Sequence, residues 1–141
     1  MPGLILNLKP WETFLVGDTV IQNGGRRTQL RVRDDKAGVL RLSDAMHPDD
    51  VRTPLTRAYY AAQLLLLGQG GDDITAALLL DLLDEARAAL GDTAVVAEAL
   101  RYAGSGQYYK VLRTLRPHLP EEALLLSDRF KGANLPLGSQ D

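Results

Sequence analysis

Few residues in this chain have types and spacing suited to chemistry. There are two histidines, His47 and His118, and no cysteine. The lack of thiols excludes disulfide scaffolds, thiol catalysis, thiolate zinc sites and iron–sulfur clusters. Each histidine stands beside a proline, and neither has a metal-ligand partner three or four residues away. The pairs Asp34-Asp35, Asp49-Asp50 and Asp72-Asp73 could be paired carboxylates. Each, however, sits at a turn or helix start, where aspartate caps free N–H groups. Gly68-Gln69-Gly70-Gly71 and Gly104-Ser105-Gly106 look like phosphate loops, but neither follows a strand pattern or carries a trailing Gly-Lys-Ser/Thr. No serine occupies a nucleophile elbow. These residues point away from an enzyme and call for no metal or cofactor.

The arginines are more informative. Alternate residues of a strand share a face. Arg27, Gln29, Arg31 and Arg33 therefore point away from Leu30 and Val32, as Arg41 points away from Leu40 and Leu42. Asn7 and Lys9 are outward on the first strand. A sheet with one apolar face and an outer face of arginine, lysine, asparagine and glutamine can hold a single-stranded nucleic acid. The plain structural reading is a solvated sheet face. Candidate RNA contacts are Lys9, Arg26, Arg27, Arg31, Arg33 and Arg41, with Trp11 as the one large stacking side chain nearby. Lys110, Arg113 and Arg116 form a second stripe at helical spacing, whose plain reading is a solvent face.

Charge distribution agrees. The chain of 141 residues has net charge −2, yet residues 1–41 carry +3, leaving −5 on the remainder. A basic front on an acidic chain hints at a polyanion-binding face. Hydrophobic residues at 45% and charged residues at 24% suit one globular unit. The N-terminus lacks the basic region and apolar run of a signal peptide. The leucine runs Leu64–Leu67 and Leu78–Leu80 end at Gly68 and Asp81, too soon to span a bilayer. The expected location is the cytoplasm, with no membrane partner.

The elements that must position these residues fall into two halves. Residues 1–45 read as a small antiparallel β meander or half-barrel. Strands are expected at 4–9, 13–16, 19–22, 28–33 and 39–42. Gly17-Asp18 marks a two-residue hairpin, and Asn23-Gly24 predicts a type I′ turn. Residues 53–131 read as a helical bundle. Thr53-Pro54 gives an N-cap and a first-turn proline, Asp72 or Asp73 caps the second helix, and Asp92 the third. A fourth helix spans 107–116 and a short fifth 121–131, followed by a flexible tail over 132–141. The class is α+β. Leu64 and Leu67 fall off the Leu55–Leu66 stripe. With Lys110 and Arg113 they are candidates for a protein-interaction surface, the alternative being an ordinary internal core.

Several of these residues occur in recognisable runs. Leu6-Asn7-Leu8-Lys9-Pro10-Trp11-Glu12, Gly17, Val20-Ile21-Gln22-Asn23-Gly24-Gly25-Arg26-Arg27, the Thr53-Pro54 helix start and Gln107-Tyr108-Tyr109-Lys110-Val111-Leu112 together resemble the FlbT family. The resemblance covers most of residues 4–116. Where that family has an aspartate in the glycine turn, this chain has Gly25. The resemblance implies a non-catalytic post-transcriptional regulator. Such proteins act on the 5′ untranslated leader of flagellin mRNA, repressing its translation or promoting its decay, although some members support flagellin production. It also implies links to flagellin and to the flagellar regulator FlaF. Separately, Leu4-Ile5-Leu6, Glu12-Thr13 and Val16-Gly17-Asp18 are similar to the first hairpin of the CsrA family of small RNA-binding regulators. That likeness implies leader binding by the β half and a homodimer formed through strand edges. The competing expectation is a flagellin-binding or secretion-chaperone-like adaptor that uses the apolar helical half.

Overall fold

Among the described residues, alternation up to Arg41 produces five short strands, and helical periodicity after Thr53 produces four α-helices of eight residues or more. The computed structural model describes residues 4–33, 38–69, 72–91 and 93–120. The strands are β1 (Leu4–Leu8), β2 (Thr13–Val16), β3 (Thr19–Gln22), β4 (Thr28–Val32) and β5 (Val39–Arg41). The helices are α1 (Pro54–Leu66), α2 (Asp72–Leu90), α3 (Ala94–Gly104) and α4 (Tyr108–Leu115). This is an α+β chain with its strands first. The segments expected as a fifth helix and a tail lie outside the described residues.

The strands do not pair in chain order. β1 pairs antiparallel with β4, and a separate sheet has the order β3–β2–β5. Gly17 takes φ +62 and closes the β2–β3 hairpin, with Val16 opposite Thr19. The type I′ turn expected at Asn23-Gly24 does not form: neither residue has positive φ, and β3 and β4 are not neighbours. Residues 23–27 instead carry the chain from one sheet to the other.

Register places the β3–β2–β5 sheet between two layers. Cross-strand partners share a face. Phe14, Val16 and Val39 pack with Leu6, Leu8, Leu30 and Val32 of the β1–β4 sheet. Leu15 and its partner Leu40 face the other way and join the helical core. That core gathers Leu55, Tyr59 and Ala62 of α1, Leu79 and Leu83 of α2, Ala99 of α3, and Val111, Leu112 and Leu115 of α4. Gly38 is where the β layer meets α1. A Cβ there would lie 1.8 Å from the Leu66 carbonyl oxygen, so only glycine fits.

The linker between the halves is fastened by polar groups. Buried Gln63 on α1 accepts from the Met46 N–H at 2.7 Å and donates to the Met46 carbonyl at 3.1 Å. Tyr59 donates its hydroxyl to the Asp44 carbonyl at 2.6 Å. α1 opens with a capping box: Thr53 Oγ1 accepts from the Thr56 N–H, and Thr56 Oγ1 from the Thr53 N–H. The third helix is capped by Thr93, whose Oγ1 accepts from Val96 N–H; the expected cap, Asp92, lies outside the described residues.

Candidate nucleic-acid interface

The site is built where the β1–β2 turn meets the β3–β4 connection. Glu12 ties the first turn to itself and to the middle sheet. Its Oε1 accepts from the Lys9 N–H at 2.9 Å, and both carboxylate oxygens accept from Arg41 Nη1 at 2.9 Å. The Lys9 N–H, with Arg41 behind it, holds this carboxyl below the ordinary glutamate range. Asn23 ties the two connections together. Its backbone N–H donates to the Glu12 carbonyl at 2.8 Å. Its side-chain amide donates to the carbonyls of Lys9 and Arg26, each at 2.8 Å. The amide thus adds a donor to two carbonyls that also accept from the Glu12 N–H and from Thr28 Oγ1, tying both connections together.

Trp11 sits at the centre of this knot in a rare conformation, φ +63. A non-glycine residue there stores strain, and strain of this kind gathers at ligand-contacting sites. The surroundings hold it in place: Trp11 N–H donates to the Gly24 carbonyl at 2.9 Å, and the Trp11 carbonyl accepts from Gln22 Nε2 at 3.1 Å. The indole lies against Gly25, where an added Cβ would come within 3.1 Å of the ring. Trp11 nevertheless stays 63% exposed. Gly25 therefore leaves room for the ring, and an aspartate at this position would crowd it.

Basic residues stand on the two connections that carry the exposed indole. Lys9, Arg26 and Arg27 are exposed on the two connections. Outward from them runs the free face of the β1–β4 sheet. There Gln29 donates to Asn7 Oδ1 at 3.1 Å, and exposed Arg31 stands opposite Ile5, which is 44% exposed. Arg33 is exposed just beyond β4. Among the described residues, Lys9, Arg26, Arg27, Arg31 and Arg33 make no salt bridge. These five exposed cations and the solvent-facing indole can neutralise phosphates and stack on a base.

Arg41 does not belong to that face. β5 lies in the middle layer, covered on both sides, and Arg41 shares a face with Phe14 rather than with Arg31. Its guanidinium is committed to Glu12 in a half-buried pair. Alternation within one strand could not reveal this, because it does not say which sheet the strand joins.

The protein-interaction candidates also separate. Leu67 is 6% exposed and part of the helical core, not a surface residue. Leu64 is half-buried, while Lys110 and Arg113 are exposed. Lys110 Nζ lies 5.5 Å from the Tyr102 ring centre. Among the described residues, the exposed large apolar side chains of the helical half are instead Ile74, Leu78 and Leu80 on α2. Arg116 is no plain solvent residue: its Nε reaches Tyr59 Oη at 3.2 Å and Asp44 Oδ1 at 3.5 Å. Burial pushes the Tyr59 hydroxyl up, with Arg116 acting against it. Among the described residues, no group of three or more His, Cys, Asp or Glu could hold a metal ion. No helix there is long and apolar enough to cross a membrane.

The sequence profile of the family described as "Flagellar protein FlbT" matches residues 4–126. The "Flagellum biosynthesis repressor protein FlbT" of Caulobacter vibrioides is 33% identical over 116 residues, covering 80% of this chain and 82% of that protein. The "Probable flagellum biosynthesis repressor protein FlbT" of Rhodopseudomonas palustris is 35% identical over 127 residues, covering 88% of this chain and 98% of that one. No solved structure matches. The chain belongs to the FlbT family.

Proposed function

We propose that this chain is a non-catalytic regulator of flagellum biosynthesis that binds the 5′ untranslated leader of flagellin mRNA and represses its translation or promotes its decay. The observation that carries this reading is the knot of Lys9–Glu12 and Asn23–Arg27. It holds a strained, exposed indole beside exposed cations that make no salt bridge among the described residues. Relatives named flagellum biosynthesis repressors support the regulatory part. The basic face supports the RNA part. In this reading RNA contacts come from Lys9, Arg26, Arg27, Arg31 and Arg33, with Trp11 stacking. Arg41 is structural. The protein works in the cytoplasm, and cellular nucleases carry out any decay once leader access has changed.

A second reading keeps the helical half as an adaptor for flagellin or FlaF. The exposure of Ile74, at 81%, favours α2 as its surface. Direct binding of labelled flagellin leader RNA and of flagellin, measured side by side on the pure protein, separates the two. Leader binding that is lost in Trp11→Ala and in an Arg26→Ala/Arg27→Ala double variant is the expected result. Leader RNA bound no better than buffer by the wild type, with flagellin bound, would transfer the function to the adaptor reading. Cleavage of the leader at catalytic turnover would overturn the non-catalytic assignment.

A further inference from the structure

β3 is a free edge of the middle sheet. Among the described residues it pairs with β2 on one side only, and all four of its residues are exposed. The ladder tells which of its backbone groups are open. Asn23 N–H donates to the Glu12 carbonyl at the position that continues the β2–β3 register. Bonded and non-bonded pairs alternate in an antiparallel ladder. Phe14–Ile21 and Val16–Thr19 are therefore the bonded pairs, and Val20 and Gln22 turn their N–H and C=O groups away from β2. Edges are normally blunted by lysine, proline, a bulge or an inward charge. Thr19-Val20-Ile21-Gln22 has neither charge nor proline, and it carries Val20 at 66% and Ile21 at 38% exposure on opposite faces. Such a strand is open along its edge and apolar on both sides.

We propose that β3 pairs antiparallel with β3 of a second copy of this chain across a twofold axis. The two middle sheets would join into one of six strands. The open groups set the register. Val20 of one copy exchanges two bonds with Gln22 of the other, and Gln22 of the first does the same with Val20 of the second. The two Ile21 residues then face each other at the axis as a non-bonded pair. The same register sets Asp18 opposite Gly24 of the other copy, two residues from its Arg26. One end of β3 is acidic and the other leads into Arg26-Arg27, so antiparallel self-pairing brings unlike charges together at both ends. A parallel pairing would bring like charges together. This complementarity, with an uncharged strand between, selects a second copy as the occupant. A four-residue edge buries less than the ~1,200–2,000 Å² of a stable interface, so the dimer should be concentration-dependent rather than permanent.

The test uses the full chain. Sedimentation over a concentration series should show a reversible monomer–dimer equilibrium for the wild type. The chain has no cysteine, so Ile21→Cys gives a single thiol. Facing residues of a non-bonded pair have Cα atoms ~4.5 Å apart, within disulfide reach. Mild oxidation should convert Ile21→Cys into a covalent dimer on a non-reducing gel, while Asp81→Cys on the exposed face of α2 stays largely monomeric. Val20→Pro removes an outward N–H without touching the β2 ladder. It should sediment as a monomer with an unchanged circular dichroism spectrum. If Val20→Pro does not fold, Val20→Lys charges the same edge and should have the same effect. A wild type that stays monomeric at the highest concentration reached would overturn the proposal. So would a dimer that survives both edge variants, or an Ile21→Cys cross-link no stronger than that of Asp81→Cys.

Discussion

Arginines occur in two regions of this molecule under opposite conditions. At the seam between the layers, Arg41 grips Glu12 and Arg116 reaches Tyr59 and Asp44. On the outer β layer, Arg26, Arg27, Arg31 and Arg33 are exposed and form no salt bridge among the described residues. A half-buried cation must be paired, or its desolvation is uncompensated. An exposed cation contributes little to folding and keeps its full charge for a ligand. The difference teaches which arginines hold the structure and which are left free for a polyanion.

The contrast breaks most visibly at its hinge. Gly38→Ala puts a methyl against the Leu66 carbonyl. Backbone cannot yield as a flexible side chain can, so the expected cost is about 3 kcal/mol or more. Chemical denaturation should read this loss, and a near-normal midpoint would show that the β layer can slide away from α1. Next in size is Leu67→Ala, expected to cost about 2–5 kcal/mol as a core truncation. Ile74→Ala on exposed α2 should stay within about 0.5 kcal/mol. Equal thermal melts for the two variants would mean that Leu67 is not buried in solution.

Tyr59→Phe tests the seam network. It removes the hydroxyl that donates to Asp44 and accepts from Arg116, leaving both without that partner. The expected cost is about 1–3 kcal/mol, with RNA affinity unchanged. A parallel loss of RNA binding would show that the seam and the outer face are coupled.

Glu12 supplies a pH signature. Its carboxyl titrates below the ordinary range in the folded chain. Its contribution is therefore present above the unfolded glutamate pKa and is lost as pH falls through the lowered folded value. Denaturation midpoints should drop through this acidic window, and Glu12→Gln should remove that part of the slope while lowering stability at neutral pH. A variant whose pH profile overlays the wild type would detach Glu12 from the knot.

Arg31→Ala should likewise leave folding within about 0.5 kcal/mol. Its effect should appear in binding instead. Each phosphate contact on a single strand contributes about −0.7 to the log–log salt slope, so the slope should become shallower by that amount. An unchanged slope in an Arg31→Ala/Arg33→Ala double variant would confine the interface to Lys9, Trp11, Arg26 and Arg27.

Much of this molecule is determined by the sequence alone, because the governing physics is local. Period-two alternation marked the strands, and Gly17-Asp18 marked a hairpin whose φ +62 glycine is present. Thr53-Pro54 opened the first helix at its true start. The exposure of Arg31 followed from Leu30 and Val32 turning inward on the same strand. Which strands share a sheet was decided only by tertiary structure. Pairing between β1 and β4 joins residues 20 to 28 positions apart in the chain and depends on closing long loops around shared apolar faces. That choice moved Arg41 from an outer face into the seam. It also turned Asn23 from a hairpin turn residue into a bridge between two connections, and it left β3 at an edge. Leu67 was misplaced for a similar reason: just beyond the last residue of α1, helical spacing no longer says where a side chain goes. Local rules name the elements and the face each residue presents. What covers that face depends on contacts between residues far apart in the chain, which no local pattern encodes.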